Sequence, residues 1–421
     1  MLAPQPGQTA IFPRPIKIIS KSALFHSWKN SRDATKNSGR PGVDHVTAQQ
    51  FAAKLDSNLA EIARRLKQGD YGFSKLRPVF VLKANSDKER MICVPVVRDR
   101  LVQRVMAHYL TSKKLFPIYN SSSFGFIKGR GTREAIQAAV KLREQYDWCL
   151  KTDIEAFFDK IPRRYLKKCV YACLKVHSLT PLIYNVIDGE VRATPENQTK
   201  LAKQSIKPGL GIRQGMPLSP LLANLALADF DRQISEKQIE MVRYADDIVL
   251  FFNSKEGAQA GQKLVKELLQ HIQLSIPEIA DGSKTMIIAR SDPLTFLGRE
   301  IVHLGSENAF VARVAAKQIE KIRSGLFEDF SFEHRAKAGN NFQDTIVDLS
   351  KSVSAYLGIY KDAHNYKHFE QDLRGQARAI IIKIFKDLFG QQALSSLTAE
   401  GRKFLGLEIL DAIEPNPELD V

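Results

Sequence analysis

The chain is 421 residues long and 44% hydrophobic, with a formal net charge of +16 and a pI near 9.5. That apolar content excludes a merely basic, disordered tail and allows a sizeable core, while the basic excess suits a polyanionic partner. No apolar run approaches the roughly 20 residues of a membrane span, and Pro4, Pro6, Pro13 and Pro15 interrupt the start where a secretory signal would be apolar. Cys93, Cys149, Cys169 and Cys173 form no disulfide framework. The chain is read as intracellular, in the cytoplasm, with no membrane partner.

Residues 1–37 are a polar, Pro-containing N-terminal extension with a first helix near residues 22–29. Residues 38–147 alternate helical patterns (48–68, 98–110 and 132–146) with strand patterns at 77–82 and 90–94. The connection between those strands, Lys83-Ala84-Asn85-Ser86-Asp87-Lys88-Glu89, is short and charged, as in a hairpin. Residues 148–154 read as a strand carrying Asp153 near its C-terminal end, after which Phe157, Phe158 and Ile161 pack a turn into a helix. Cys169, Cys173 and His177 share a predicted helix face. A fourth zinc ligand is missing nearby, and Val170, Leu174 and Val176 make this an ordinary amphipathic helix.

Residues 188–208 are polar and turn-rich and read as a loop. A helix at 256–273 and two further strands follow. From Val314 onward the pattern is helical and Lys-rich, and Ile380-Ile381-Ile382-Lys383-Ile384-Phe385 with Leu388-Phe389 read as a core helix face. The class is α+β, with a mixed or antiparallel sheet, and the chain has no internal repeats.

The most informative stretch is Tyr244-Ala245-Asp246-Asp247, set between Met241-Val242-Arg243 and Ile248-Val249-Leu250-Phe251-Phe252. Adjacent carboxylates in a buried hairpin repel each other and resist desolvation unless a cation compensates them. A hard divalent ion such as Mg²⁺ prefers such oxygens and keeps positions open for substrate phosphates. With Asp153, one acid from the upstream strand and the pair from the hairpin could hold two ions for an in-line phosphoryl transfer. Each motif alone also fits something plainer: a solvated turn for the pair, a helix N-cap for Asp153.

The motifs in order resemble a bacterial reverse transcriptase of the group II intron-like lineage, over most of residues 38–300. Gly42-Val43-Asp44-His45-Val46-Thr47 with Phe51 resembles the early Gly-x-Asp-Gly element. Arg90-Met91-Ile92-Cys93-Val94-Pro95 with Asp99-Arg100-Leu101-Val102-Gln103 resembles the fingers element. Ser123-Phe124-Gly125-Phe126-Ile127-Lys128-Gly129-Arg130 resembles the element after it. Gly211-Ile212-Arg213-Gln214-Gly215 leading to Ser219-Pro220-Leu221-Leu222-Ala223-Asn224 resembles the motif before the catalytic hairpin. Lys284-Thr285 and Phe296-Leu297-Gly298 resemble the last two palm motifs.

The resemblance implies a right-hand polymerase fold with fingers (38–147), palm (148–304) and a helical thumb and tail (305–421). It implies two Mg²⁺ ions held by Asp153, Asp246, Asp247 and the Ile154 carbonyl. Lys83 and Arg90 would contact the triphosphate, and Gln214 and Gly215 would line the nucleotide pocket. Phe158 would gate against the sugar 2′-hydroxyl, Lys284 would protonate the leaving pyrophosphate, and Phe296, Leu297 and Gly298 would support the primer. The partners implied are an RNA template, a DNA product and dNTPs.

Departures from the intron-encoded pattern are Val81-Leu82-Lys83 for Ile-Pro-Lys, Arg213-Gln214-Gly215 for Pro-Gln-Gly, and Asp44-His45 for Asp-Gly. No Cys/His-rich endonuclease tail follows the thumb-like region. These departures resemble the stand-alone "unknown group" reverse transcriptases, many of which act in phage defence with a structured noncoding RNA. A group II intron or retron-type reverse transcriptase is the alternative, and an inactive RNA-binding module a third reading that the three carboxylates disfavour.

Overall fold

The computed structural model describes residues 18–34, 40–82, 89–175, 177–204, 207–305, 309–398 and 400–401. By contact, the chain divides into two units, Met1–Ala289 and Arg290–Val421.

The first unit is built on two sheets. Strands β1 (Arg77–Leu82) and β2 (Glu89–Val94) form an antiparallel pair, and the expected turn at residues 83–88 lies outside the described residues. Strands β3 (Trp148–Asp153), β4 (Glu240–Tyr244), β5 (Asp247–Phe252) and β6 (Met286–Ala289) form a four-stranded antiparallel sheet in the order β4-β5-β3-β6. β5 is apolar and buried along most of its length, and β3 is buried at Cys149, Leu150 and Thr152. Helix Lys255–His271 packs on β3, β5 and β6, and helix Thr132–Gln145 packs on β4 and β5. The core of the unit runs from Ile19 to Ile276 and includes most of helix Ser219–Glu236.

Several expectations change in detail. The helix read at residues 48–68 is two helices, Ala48–Ala53 and Leu55–Gln68, parted by Lys54 at φ −122°. The segment read as a loop at 188–208 contains a helix, Gln198–Lys203, and a parallel bridge between Val191 and Leu76. His177 does not share the helix face of Cys169 and Cys173. That helix, Arg163–Leu174, ends where Lys175 takes φ +49°, and His177 Nδ1 accepts the Leu179 N–H at 3.1 Å. Val170 and Leu174 are buried, as an amphipathic helix requires. His45, at the position where the resemblance leads one to expect glycine, adopts φ +59°, a left-handed conformation that glycine reaches without a Cβ penalty.

The second unit has a three-stranded antiparallel sheet of β7 (Leu294–Phe296), β8 (Arg299–Leu304) and β9 (Ala309–Val314). β7 and β8 fall within residues 148–304, the span assigned from sequence to the palm. Helices Ala316–Asp329, Phe332–Lys337, Phe342–Tyr360 and Tyr366–Ser395 complete it around a separate core. Ile380 and Ile384 are buried there, but Leu388 and Phe389 are exposed, contrary to the sequence reading. Phe385 meets Phe342, the first residue of helix Phe342–Tyr360, with ring centroids 5.1 Å apart. Leu388 and Phe389 lie one turn past this contact, just before Gly390 (φ +79°) interrupts the helix.

Candidate active site

The apolar runs Met241-Val242 and Ile248–Phe251 pair as a β4–β5 hairpin, so the two acids fall at its tip. The turn residue Ala245 takes φ +57°, and Asp246 follows it. In the neighbouring pair of strands, Asp153 lies directly opposite Asp247. Residues in direct register project from the same face of a sheet, so these two carboxylates share one face and end. The Ile154 N–H donates to the Asp246 carbonyl at 3.1 Å, tying the end of β3 to the hairpin turn. All three acids are half-buried.

Burial and mutual repulsion mark the electrostatics. Burial, then the charges of Asp153 and Asp246, push the Asp247 carboxyl up to about 6. Asp246 is raised by burial and then by Asp153. Lys284 donates to Asp153 Oδ1 at 2.8 Å and is itself largely exposed. Lys151, two positions before Asp153 and on the same face of β3, is lowered by burial and raised by Asp247 and Asp153. Among the described residues, no three Asp, Glu, His or Cys side chains are already gathered as an ion-holding cluster; Asp153 is paired with Lys284 instead. The donor chemistry nonetheless fits a hard divalent cation: carboxylate oxygens, mutually repelling and half-buried, with an adjacent backbone carbonyl.

Behind the turn lies a buried network that sequence reasoning did not assign. Arg243 is fully buried and donates from Nε to Asp231 Oδ1 at 2.7 Å and from Nη2 to Asp231 Oδ2 at 2.5 Å. It also donates to Asn224 Oδ1, to Ser123 Oγ and to the Ala245 carbonyl, at 3.1, 2.9 and 2.9 Å. The last bond holds the turn from behind. The Ser123–Gly125 segment runs beside β4: Phe124 N donates to the Arg243 carbonyl at 2.9 Å, and a Cβ on Gly125 would lie 2.5 Å from Ala245 N. Asn224 Nδ2 donates to the Gly125 carbonyl at 2.7 Å. The signal was present in the quoted Ser-x-Gly and Ser-Pro…Asn motifs, which acquire a shared structural reason here.

The remaining predicted residues fall in several places. Gln214 and Gly215 lie on a strap against β2, where Cys93 N donates to the Gln214 carbonyl at 2.7 Å. Gly215 has φ +100°, and a Cβ there would meet the Cys93 carbonyl at 2.6 Å, so only glycine fits. Ile212 N donates to the Phe158 carbonyl at 2.8 Å, joining the same strap to the turn after β3. Phe158 is half-buried, edge-on to Phe157 with centroids 5.6 Å apart. Arg90 is exposed on β2, and its charge reaches Asp246. Lys83 lies outside the described residues. Phe296, Leu297 and Gly298 form the β7–β8 turn of the second unit, with Leu297 at φ +50° and Gly298 at φ +76°, the signs of a type I′ hairpin.

The profile of the family "Reverse transcriptase (RNA-dependent DNA polymerase)" matches residues 81–301, more than half of the chain. Protein YkfC of Escherichia coli strain K12 is 26% identical over 341 residues, covering 69% of this chain and 83% of YkfC. The group II intron-encoded protein LtrA of Lactococcus lactis is 25% identical over 233 residues, 55% of this chain and 37% of LtrA. The retron Ec83 reverse transcriptase of Escherichia coli is 26% identical over 188 residues, 43% of this chain and 54% of that protein.

Proposed function

The chain belongs to the reverse transcriptase (RNA-dependent DNA polymerase) family, and on that premise we propose that it copies a structured noncoding RNA into DNA in antiviral (phage) defence. Its α+β fold is the right-hand polymerase fold. The observation that carries the proposed chemistry is the register of Asp153 against Asp247, with Asp246 in the adjoining turn.

In this reading Asp153, Asp246, Asp247 and the Ile154 carbonyl hold two Mg²⁺ ions. When bound, the ions supply charge stabilisation to the attacking and leaving oxygens of the in-line transfer. Asp153 and Asp247 present their oxygens from one sheet face, and the Arg243 network keeps the turn from yielding to their repulsion. Lys284, now on Asp153, is within reach of the same cluster and donates a proton to the departing pyrophosphate. Arg90 and Lys83 grip the triphosphate, Arg by paired N–H donors. Gln214 and Gly215 form the pocket floor, the glycine allowing close backbone approach. Phe158 blocks the ribose 2′-hydroxyl, and the Phe296–Gly298 turn supports the primer. Fingers, palm and thumb take residues 38–147, 148–304 and 305–421, after the extension at 1–37.

The departures at Val81-Leu82-Lys83, Arg213 and His45 support the defence reading. Similarity to LtrA and to the retron Ec83 reverse transcriptase favours a second one, a group II intron or retron-type enzyme. Purification across a salt series, with sequencing of the RNA that stays bound, tests the proposal. Phosphate contacts release counterions and weaken steeply with salt, whereas a folded RNA adds shape-dependent contacts. One cellular RNA species should survive salt that strips bulk RNA. A random sample of the transcriptome at every salt refutes the dedicated template.

A further inference from the structure

Residues 188–204 leave helix Thr180–Ile187 and touch three parts of the first unit that the proposed nucleotide pocket needs. Toward β1, Leu76 N donates to the Glu190 carbonyl at 2.9 Å and Arg192 N donates to the Leu76 carbonyl at 2.8 Å. Toward β2, Lys200 pairs with Glu89 at 2.6 Å and lies over the Phe80 ring, while Gln204 Nε2 donates to the Glu89 carbonyl at 3.3 Å. Glu89 is the residue next to Arg90. Toward the pocket strap, Glu190 Oε1 accepts from Arg163 Nη1 at 2.6 Å, and Glu190 Oε2 lies 4.0 Å from Arg213 Nη2.

Arg163 and Arg213 are both buried. Arg163 donates from Nε to the Gly211 carbonyl at 2.9 Å and from Nη1 to the Asp188 carbonyl at 3.4 Å. Arg213 Nε is buried without a hydrogen-bond partner, and burial, then the Arg163 charge, lowers that guanidinium from its ordinary range, with Glu190, Cys93 and Asp159 acting in the opposite direction. Buried charges need pairing. The Glu190 carboxylate, its side chain 60% exposed, hydrogen-bonds Arg163 and lies 4.0 Å from Arg213, and Arg213 immediately precedes Gln214 and Gly215.

We propose that Glu190 is a positioning residue for the incoming nucleotide. Its carboxylate holds Arg163, whose Nε bond to the Gly211 carbonyl fixes the start of the Gly211–Gly215 strap, and it offsets the Arg213 charge, while its backbone carbonyl anchors the same segment beside β1. The segment is a brace that sets the spacing between the pocket floor and the strand pair bearing Arg90. This rests on the assignment of Gln214, Gly215 and Arg90 to nucleotide binding.

The test is steady-state single-nucleotide incorporation on a primed RNA template by full-length protein, with backbone hydrogen exchange on the same samples. Glu190→Ala should raise the dNTP KM about tenfold, the effect of losing a hydrogen bond to a charged group, and leave kcat within about twofold. Glu190→Asp should recover part of the KM, and the Cys93 amide that donates to Gln214 should exchange faster in Glu190→Ala. Should Glu190→Ala not fold, Glu190→Gln keeps length and an acceptor and should show a smaller rise in KM. A loss confined to kcat, as from a smaller folded fraction, or an unchanged KM in a folded variant overturns the proposal alone. A wild-type chain that neither binds nor incorporates dNTP refutes the polymerase reading and the proposal together.

Discussion

Replacing Asp247 by Asn isolates the cost of keeping this site charged. Burial with the nearby charges of Asp153 and Asp246 lifts the Asp247 carboxyl from 3.8 to about 6. The folded chain therefore holds that proton more tightly than the unfolded chain. The metal-free fold loses stability as pH rises between about 4 and 6, and the loss is complete above that window. At about 1.4 kcal/mol per tenfold change in proton affinity, the ceiling is about 3 kcal/mol. Asn mimics the protonated form, so metal-free Asp247→Asn should be more stable than wild type at pH 8, by between about 1 and 3 kcal/mol. That gap should shrink toward zero near pH 4. Thermal melts in EDTA from pH 4 to 8.5 read it as a rise of a few degrees in Tm. Adding Mg²⁺ should recover stability in wild type at pH 8 and do much less for the variant. A variant no more stable than wild type at pH 8, or a gap that does not narrow in acid, refutes the electrostatic account.

Two further predictions concern the gate and the support of the turn. Phe158→Ala should raise the ratio of ribonucleotide to deoxynucleotide kcat/KM by removing a steric block; an active variant with unchanged discrimination makes Phe158 a packing residue only. Arg243→Met should destabilise the fold by about 3 kcal/mol or more in urea melts, because Asp231 is left buried without its counter-charge, holding only the Asn120 Nδ2 donor at 2.9 Å. Asp231→Leu added to Arg243→Met should return part of that loss.

The hairpin and the strand bearing Asp153 were legible because each interrupts an apolar run with acids at a point where a strand must end. The Arg243 network was not. Arg243 closes the short apolar run Met241-Val242, where a charged residue reads as solvent-facing, and its partners Asp231, Asn224 and Ser123 lie 12, 19 and 120 residues away. The brace at 188–204 was read as a loop because its polar residues resemble a solvated segment. Its one bridge, to Leu76, spans more than a hundred residues. Leu388 and Phe389 misled in the opposite direction, since apolar periodicity continues past the Phe342–Phe385 contact onto exposed positions. Local pattern reports which residues are apolar; it does not report which of them a partner element covers.

Primer extension on an RNA template with dNTPs and Mg²⁺, comparing wild type with Asp246→Ala, Asp247→Ala, tests the central claim most directly. Wild type should extend the primer into DNA complementary to the template. The double variant should extend none while keeping its fold and its RNA affinity, since removing clustered like charges relieves repulsion in the metal-free site. Equal extension by the double variant would contradict the assignment of the chemistry to this hairpin.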